Sequence, residues 1–122
     1  MWSNCLFVAL GGGLGAGGRD LLSLIAAPWS FPVMTLLTNF LGAMVIGAVA
    51  QAAGQLPMSK SAVLFLKTGL CGGFTTFSTF SLETVELLEQ GRWAAGGGYI
   101  LASVGLCLAG VLLGRALVWK IL

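Results

Sequence analysis

The sequence contains no histidine and very little charge of either sign. Among its 122 residues are six Lys or Arg and four Asp or Glu, which together make up 8% of the chain. The absence of histidine removes the commonest metal ligand and the usual base near neutral pH. A soluble domain typically carries about 25% charged residues, so this chain cannot cover itself in charge. The net charge of only +2, with the basic residues scattered, argues against a nucleic-acid partner.

Cysteine is scarce as well, and the three that occur lie far apart. Cys5, Cys71 and Cys107 are odd in number, and we interpret them as small buried apolar residues rather than as a disulfide or metal site. The acidic residues Glu83, Glu86 and Glu89, in the last part of the third apolar segment, have no nucleophile or metal partner beside them. We therefore predict no catalytic residues and no enzyme activity.

Apolar residues are abundant and make up 57% of the chain. A helix needs roughly 20 mainly apolar residues to cross a bilayer. Stretches rich in Pro, Gly and polar residues divide the chain into four segments of about that length. We predict one all-α transmembrane domain over residues 1–122, with spans near 2–27, 33–53, 61–90 and 94–119. The four tryptophans fall near the segment ends, as interfacial anchors do.

Small residues recur at four-residue spacing in three of the segments. These pairs predict close packing between helices, because lipid offers no hydrophobic drive for helices to associate. The pairs are Gly11 with Gly15, Ala43 with Gly47, and Gly110 with Gly114. The run at 13–18 also matches a dinucleotide-binding pattern, but the acidic residue expected about 20 positions later is missing. Helix packing is therefore the favoured interpretation.

The third segment contains the unusual stretch CGGFTTFSTF at 71–80. Gly72 and Gly73 predict an interruption near the centre of this helix. Freed backbone groups at bilayer depth must be buried in protein or face a wet cavity. Beyond the break, Phe77 and Phe80 share a helix face amid several Ser and Thr hydroxyls. Ring edges and hydroxyl donors suit an anion without carrying charge, whereas freed carbonyls suit a cation.

Polar residues elsewhere admit two interpretations each. Asn39, in the second segment, either bonds between helices or lines an ion path. Tyr99, Ser103 and Cys107 are spaced by four and predict a lined polar track in the fourth segment. Arg19, followed by an aspartate, is either half of an interfacial ion pair or a vestibule charge that attracts anions.

These motifs together resemble the Fluc (CrcB) family of fluoride channels. The resemblance rests on GGGLGAGGRD, TNFLGAMVIG and GLCGGFTTFSTFSLE, and the four-helix layout covers the whole chain. It implies an antiparallel, dual-topology homodimer in the cell inner membrane, with two pathways for passive fluoride export that reduces fluoride toxicity. With the hydroxyls of the third segment, the expected pathway residues are Arg19, Asn39, Phe77, Ser78, Thr79, Phe80, Ser81, Tyr99 and Ser103.

The resemblance also implies a structural sodium ion at the dimer centre, held by the backbone carbonyls of Gly72 and Thr75. The expected partners are then fluoride, sodium, a second copy of the chain and the lipid bilayer. The third position of the polar track is often Ser in this family. Here it is Cys107, whose thiol is a weaker donor.

Two other functions compete with a fluoride channel. A small dual-topology multidrug transporter would need a carboxylate buried in the first span. Asp20 is the only acid there and lies beside Arg19 near the end of the span, which argues against that class. A non-transporting assembly factor would leave the glycines and hydroxyls of the third segment unexplained. The weak bias of Lys and Arg between the two sides fits insertion in both orientations.

Overall fold

The computed structural model describes residues 2–25 and 30–122, and within these residues the chain is helical with no strand. Five helices follow one another in this described part: α1 (Trp2–Ser23), α2 (Val33–Gln55), α3 (60–74), α4 (Phe77–Glu89) and α5 (Trp93–Ile121). Of these, α1, α2 and α5 are each long and apolar enough to cross a membrane. The expected all-α fold is confirmed. The tight turn that the sequence predicts between Pro28 and Pro32 lies partly outside the described residues, as does the end of the first predicted span.

The third predicted span, 61–90, is divided between α3 and α4. α3 begins as an α-helix over Lys60–Val63, widens into a π-helix over Leu64–Cys71, and ends with the α-helical turn Gly72–Phe74. Ser59 caps its start, since the Ser59 Oγ accepts a hydrogen bond from the Ala62 N–H at 3.1 Å. Stretches of π-helix are rare and are often found at functional sites.

The structure corrects the predicted position of the helix break. Gly72 and Gly73 are helical, and the two residues that leave the helix are Thr75 and Thr76. Gly73 serves a different purpose, because a Cβ there would lie 2.9 Å from the Cα of Gly12 on α1. Threonine suits the break itself, since β-branched residues favour extended backbone. Gly73 therefore permits contact between α1 and α3, and the threonines form the interruption.

Glycine contacts join the helices in two pairs, as the small-residue spacing predicted. Gly11 and Gly15 of α1 are buried against the backbone of α3. Gly110 and Gly114 of α5 are buried against α2, with which α5 forms the most extensive helix pair. A side chain at any of these positions would meet main-chain atoms of the neighbouring helix. The predicted close packing is confirmed.

The two ends of the helix bundle differ in charge. One end is marked by the hydrogen bond between Ser61 and Asn4 (3.3 Å), and the other by the bond from Arg92 to the Ser30 carbonyl (3.1 Å). All four acidic residues lie toward the Arg92 end, together with Arg19. The Ser61 end holds the remaining four basic residues, which are Lys60, Lys67, Arg115 and Lys120. We call these the acidic end and the basic end.

Candidate functional site

The interruption between α3 and α4 is stabilised by a side chain from α2. Thr75 (φ −83°, ψ 157°) and Thr76 (φ −147°, ψ 120°) are extended. The Asn39 Oδ1 accepts a hydrogen bond from the Thr76 N–H at 2.8 Å, and the Asn39 Nδ2 donates to the Thr76 carbonyl at 3.1 Å. One buried amide thus satisfies both backbone groups of Thr76. Of the two interpretations of Asn39, the interhelical hydrogen bond is the one that the structure shows directly.

Other side chains add hydrogen bonds at the break. The Thr75 hydroxyl donates to the Cys71 carbonyl at 2.9 Å. The Thr76 Oγ1 caps α4 by accepting from the Thr79 N–H at 3.1 Å. Arg19 reaches across from α1, and its Nε donates to the Gly73 carbonyl at 3.3 Å. Arg19 is therefore bonded to the end of α3.

A cavity of about 410 Å³ opens beside the break. We call it the break cavity. None of its described lining residues carries a charge, and apolar side chains of α2 and α5 complete its wall. Its other lining residues include Asn39, Gly72, Thr75, Thr76, Phe77, Phe80, Ser103 and Cys107. Four of the expected pathway residues, from three helices, thus meet at one cavity together with both carbonyl positions expected to hold sodium.

Ser103 contributes a buried side-chain hydroxyl without a partner to the lining of the break cavity. Its side chain is 6% exposed, and its Oγ has no hydrogen-bond partner in the described part of the chain. A buried hydroxyl without a partner costs about 1–3 kcal/mol. This cost is removed when a polar occupant of the cavity accepts or donates a hydrogen bond.

The two phenylalanines of the site differ in exposure. Phe80 is 9% exposed, whereas Phe77 is 79% exposed and projects from the surface of the chain. Their ring centroids are 5.5 Å apart with the planes tilted by 50°. Both rings line the break cavity, so Phe80 forms part of its wall and Phe77 stands at its open side.

Tyr99 faces a different set of neighbours from Ser103, although the two are four residues apart on α5. Tyr99 is fully buried, and its hydroxyl donates to the Glu83 Oε1 at 2.9 Å. The Thr35 hydroxyl donates to the Glu83 Oε2 at 3.1 Å. The ring of Tyr99 packs on that of Phe80, with centroids 5.1 Å apart. Tyr99 is thus behind the wall of the break cavity, and it connects that wall to Glu83.

A second, smaller cavity of about 120 Å³ lies near the end of α1. We call it the hydroxyl cavity, since threonine side chains form much of its lining. That lining consists of Arg19, Asp20, Ser23, Met34, Thr35, Thr38, Thr76 and Thr79. The expected pathway residues Arg19 and Thr79 therefore line the hydroxyl cavity, whereas Phe77 and Ser103 line the break cavity. Thr76 lines both cavities.

Three expected pathway residues lie outside both cavities: Tyr99, described above, and the hydroxyl residues Ser78 and Ser81. The Ser81 hydroxyl donates to the Phe77 carbonyl at 2.8 Å, and the Ser78 Oγ lies 3.4 Å from the Thr76 Oγ1. Sequence reasoning missed Thr76 and left Glu83 without a partner. Thr76 carried a usable signal, because Thr is a favoured N-cap residue at the start of a helix. Glu83 carried none, since its partners are 48 and 16 residues away.

Comparison with known proteins places this arrangement in a family. Residues 6–115 match a family model described as "CrcB-like protein, Camphor Resistance (CrcB)". The chain belongs to the CrcB family. The resemblance seen in the sequence is thereby confirmed. Membership of this family, together with three helices that can span a membrane, shows a multi-pass membrane protein.

Several curated CrcB-family relatives are named "Fluoride-specific ion channel FluC". The relative from Roseiflexus sp. (strain RS-1) is 47% identical over 115 residues, which cover 91% of this chain and 93% of that protein. The relative from Ruminiclostridium cellulolyticum is 44% identical over 118 residues, which cover 93% of this chain and 91% of that protein. The relative from Shewanella frigidimarina (strain NCIMB 400) is 46% identical over 122 residues, which cover 97% of this chain and 98% of that protein. The similarity thus extends over nearly the full length of both chains in each pair.

Proposed function

We propose that this CrcB-family protein is a fluoride-selective channel that lets fluoride leave the cell down its own gradient and so reduces fluoride toxicity. The names of its full-length relatives support this function. The structural observation that carries it is the break cavity, where an unpartnered hydroxyl and two phenyl rings form an uncharged binding surface. Neutral donors suit a channel, because an ion must bind well enough to enter and weakly enough to leave.

The proposed pathway uses the two cavities in series. Arg19 supplies positive charge at the hydroxyl cavity, where an anion from solution would be attracted. Thr76 lines both cavities and is the point at which the ion would pass from one to the other. In the break cavity the ion would meet Ser103 and the rings of Phe77 and Phe80. The edge of a phenyl ring is electropositive, so it favours an anion without trapping it.

We further propose that two copies pair in antiparallel orientation within the cell inner membrane, with the 61–90 segment as the fourth span. Phe77 is 79% exposed beside an open cavity, which a second copy would cover. Charge supports the antiparallel arrangement, because inverting one copy brings its acidic end beside the basic end of its partner. The same inversion requires insertion in both orientations.

A structural sodium ion is part of this proposal. The chemistry of the break fits it, because carbonyl oxygens are the ligands that hard cations prefer. In a continuous helix the Gly72 carbonyl would accept from the Thr76 N–H, but that group is bonded to Asn39. The Thr75 carbonyl would accept from the Thr79 N–H, which is bonded to the Thr76 Oγ1. Both proposed sodium ligands have therefore lost their regular helical partners, and two copies would supply four such oxygens.

Purified full-length protein in liposomes should release trapped fluoride down its gradient while chloride is retained. The release should need no proton gradient, because the described residues that line the break cavity include no carboxyl group. A fluoride-selective electrode measures the efflux, and protein-free liposomes of the same lipid provide the control. Chloride efflux at an equal rate would contradict selectivity. Proton-coupled uptake of an organic cation would instead favour the multidrug transporter.

Replacing either ring of the site with isoleucine should abolish most of the flux. Phe77→Ile and Phe80→Ile keep an apolar side chain but remove the electropositive ring edge. We expect at least about a tenfold loss of fluoride efflux in each, with the protein still folded in detergent. The matched control is Phe7→Ile on α1, because Phe7 is exposed and lies outside the break cavity. If both site variants release fluoride at the unmutated rate, the two rings contribute only to packing and not to the ion path.

A further inference from the structure

Cys107 lies in the wall of the break cavity, one helical turn from Ser103. It is partly exposed, whereas Cys71, which lines the same cavity from α3, is only 3% exposed. Cys5 is exposed on α1 and is not part of the cavity lining. A reagent inside the cavity therefore meets the thiol of Cys107 more readily than that of Cys71.

The cavity has the room and the polarity to admit such a reagent. Its volume of about 410 Å³ is several times the roughly 30 Å³ that one water molecule occupies in the liquid. The buried Ser103 Oγ has no partner among the described residues and lines this cavity, so it favours a polar guest. The Cys107 thiol and the unsatisfied hydroxyl share one face of α5, because residues four apart on a helix are neighbours.

We propose that Cys107 is a modification site for small thiophilic reagents, with mercuric chloride as the simplest, and that its modification closes the break cavity. Soft thiol ligands prefer soft metal ions, which makes mercury(II) a suitable reagent. In the reaction the Cys107 sulfur forms a bond to mercury while its S–H bond and one Hg–Cl bond break. A proton and a chloride ion leave, and no atom changes oxidation state. The S–Hg–Cl group then occupies the space beside Ser103.

The modification itself is independent of transport, whereas its effect on flux rests on the proposed channel function. The test uses the full chain in liposomes, where fluoride efflux is measured before and after mercuric chloride is added. Intact mass and peptide mapping locate the mercury in the same sample. We expect one mercury on Cys107 and at least about a tenfold loss of efflux relative to the untreated sample, since the adduct stands in the proposed path. Dithiothreitol should remove the metal and restore the flux.

Variants separate Cys107 from the other two cysteines. Cys5→Ser should lose as much of its own efflux on treatment as the unmutated protein does. Cys107→Ser should keep its own untreated rate when mercury is added, because the reactive atom is gone and a hydroxyl of similar size remains. If Cys107→Ser is still blocked by mercury and Cys71→Ser is not, Cys71 is the site and the assignment is overturned.

Two further results would overturn the proposal. Mercury on Cys107 with undiminished efflux would show that the break cavity is not in the path. No mercury on Cys107 in the folded protein, with full reaction after denaturation, would show that reagents do not reach the cavity. A protein that moves no fluoride before treatment contradicts the proposed function instead, and peptide mapping still decides whether Cys107 is the modification site.

Discussion

Gly114→Ala is expected to disrupt the protein more than any other single methyl group added to α5. A Cβ at Gly114 would lie well inside van der Waals contact with the Met44 carbonyl oxygen, 2.9 Å from the Met44 carbonyl carbon and 3.0 Å from the Ala48 nitrogen. All three are main-chain atoms, so no side chain can rotate away. Overpacking typically costs about 1–3 kcal/mol, and the rigidity of the obstacle puts this case at the upper end. The expected result is a large loss of folded protein, measured by thermal unfolding in detergent.

Gly105→Ala on the same helix is the matched control. A Cβ at Gly105 meets nothing within 4 Å, and alanine is favoured over glycine in a helix by about 0.5–1 kcal/mol. The control should therefore unfold at the same temperature as the unmutated protein or somewhat higher. Equal stability of the two variants would contradict the close approach of α2 and α5. A second copy that contacts Gly105 would lower the stability of the control only where dimers form, so unfolding is measured at several protein concentrations.

Asn39→Leu is expected to have the second large effect, on both stability and flux. It keeps the size of the side chain but leaves the N–H and the carbonyl of Thr76 without their partner. Each unsatisfied buried group costs about 1–3 kcal/mol. The extended conformation at Thr75 and Thr76 then loses its support, and the break cavity loses its shape. We expect a clear drop in unfolding temperature and a loss of fluoride efflux of at least about tenfold, since the path is lined by these residues.

Two variants isolate the cause. Gln51→Leu removes an amide of the same helix that bonds only Gln55 on the exposed surface, and it should change stability by less than about 0.5 kcal/mol. Asn39→Asp keeps an acceptor for the Thr76 N–H but loses the donor to the Thr76 carbonyl. Its unfolding temperature should therefore lie between those of Asn39→Leu and Gln51→Leu. If Asn39→Leu unfolds like Gln51→Leu, the break does not depend on Asn39.

The packing of the helices was predictable from the sequence because it depends on spacing along one helix. Gly11 with Gly15 and Gly110 with Gly114 lie on one face at four-residue intervals, whatever they contact. The structure adds only the identity of the neighbour, which is α3 for the first pair and α2 for the second. The buried face of Asn39, Ala43 and Gly47 on α2 was predictable for the same reason.

The position of the break was not predictable in the same way. Glycine has a weaker helix propensity than threonine, so the sequence predicts the interruption at Gly72 and Gly73. In the structure both glycines remain helical, and at Gly73 the close approach of α1 leaves no room for a side chain. The chain leaves the helix where a side chain of another helix provides hydrogen bonds to the backbone. That side chain belongs to Asn39, which is 37 residues from Thr76. The partners of Tyr99 were hidden for the same reason.

Composition and periodicity by themselves determined that this chain is an all-helical membrane protein and that its helices touch through small residues. These properties depend on the solvent and on neighbours a few residues away. Only the tertiary structure decided that six of the nine predicted pathway residues divide between two cavities, that the Tyr99 hydroxyl bonds Glu83, and that Asn39 bonds the extended backbone at the break. Each of these depends on which hydrogen-bond donor meets which acceptor across helices. One amino-acid sequence does not give the distances between groups on different helices.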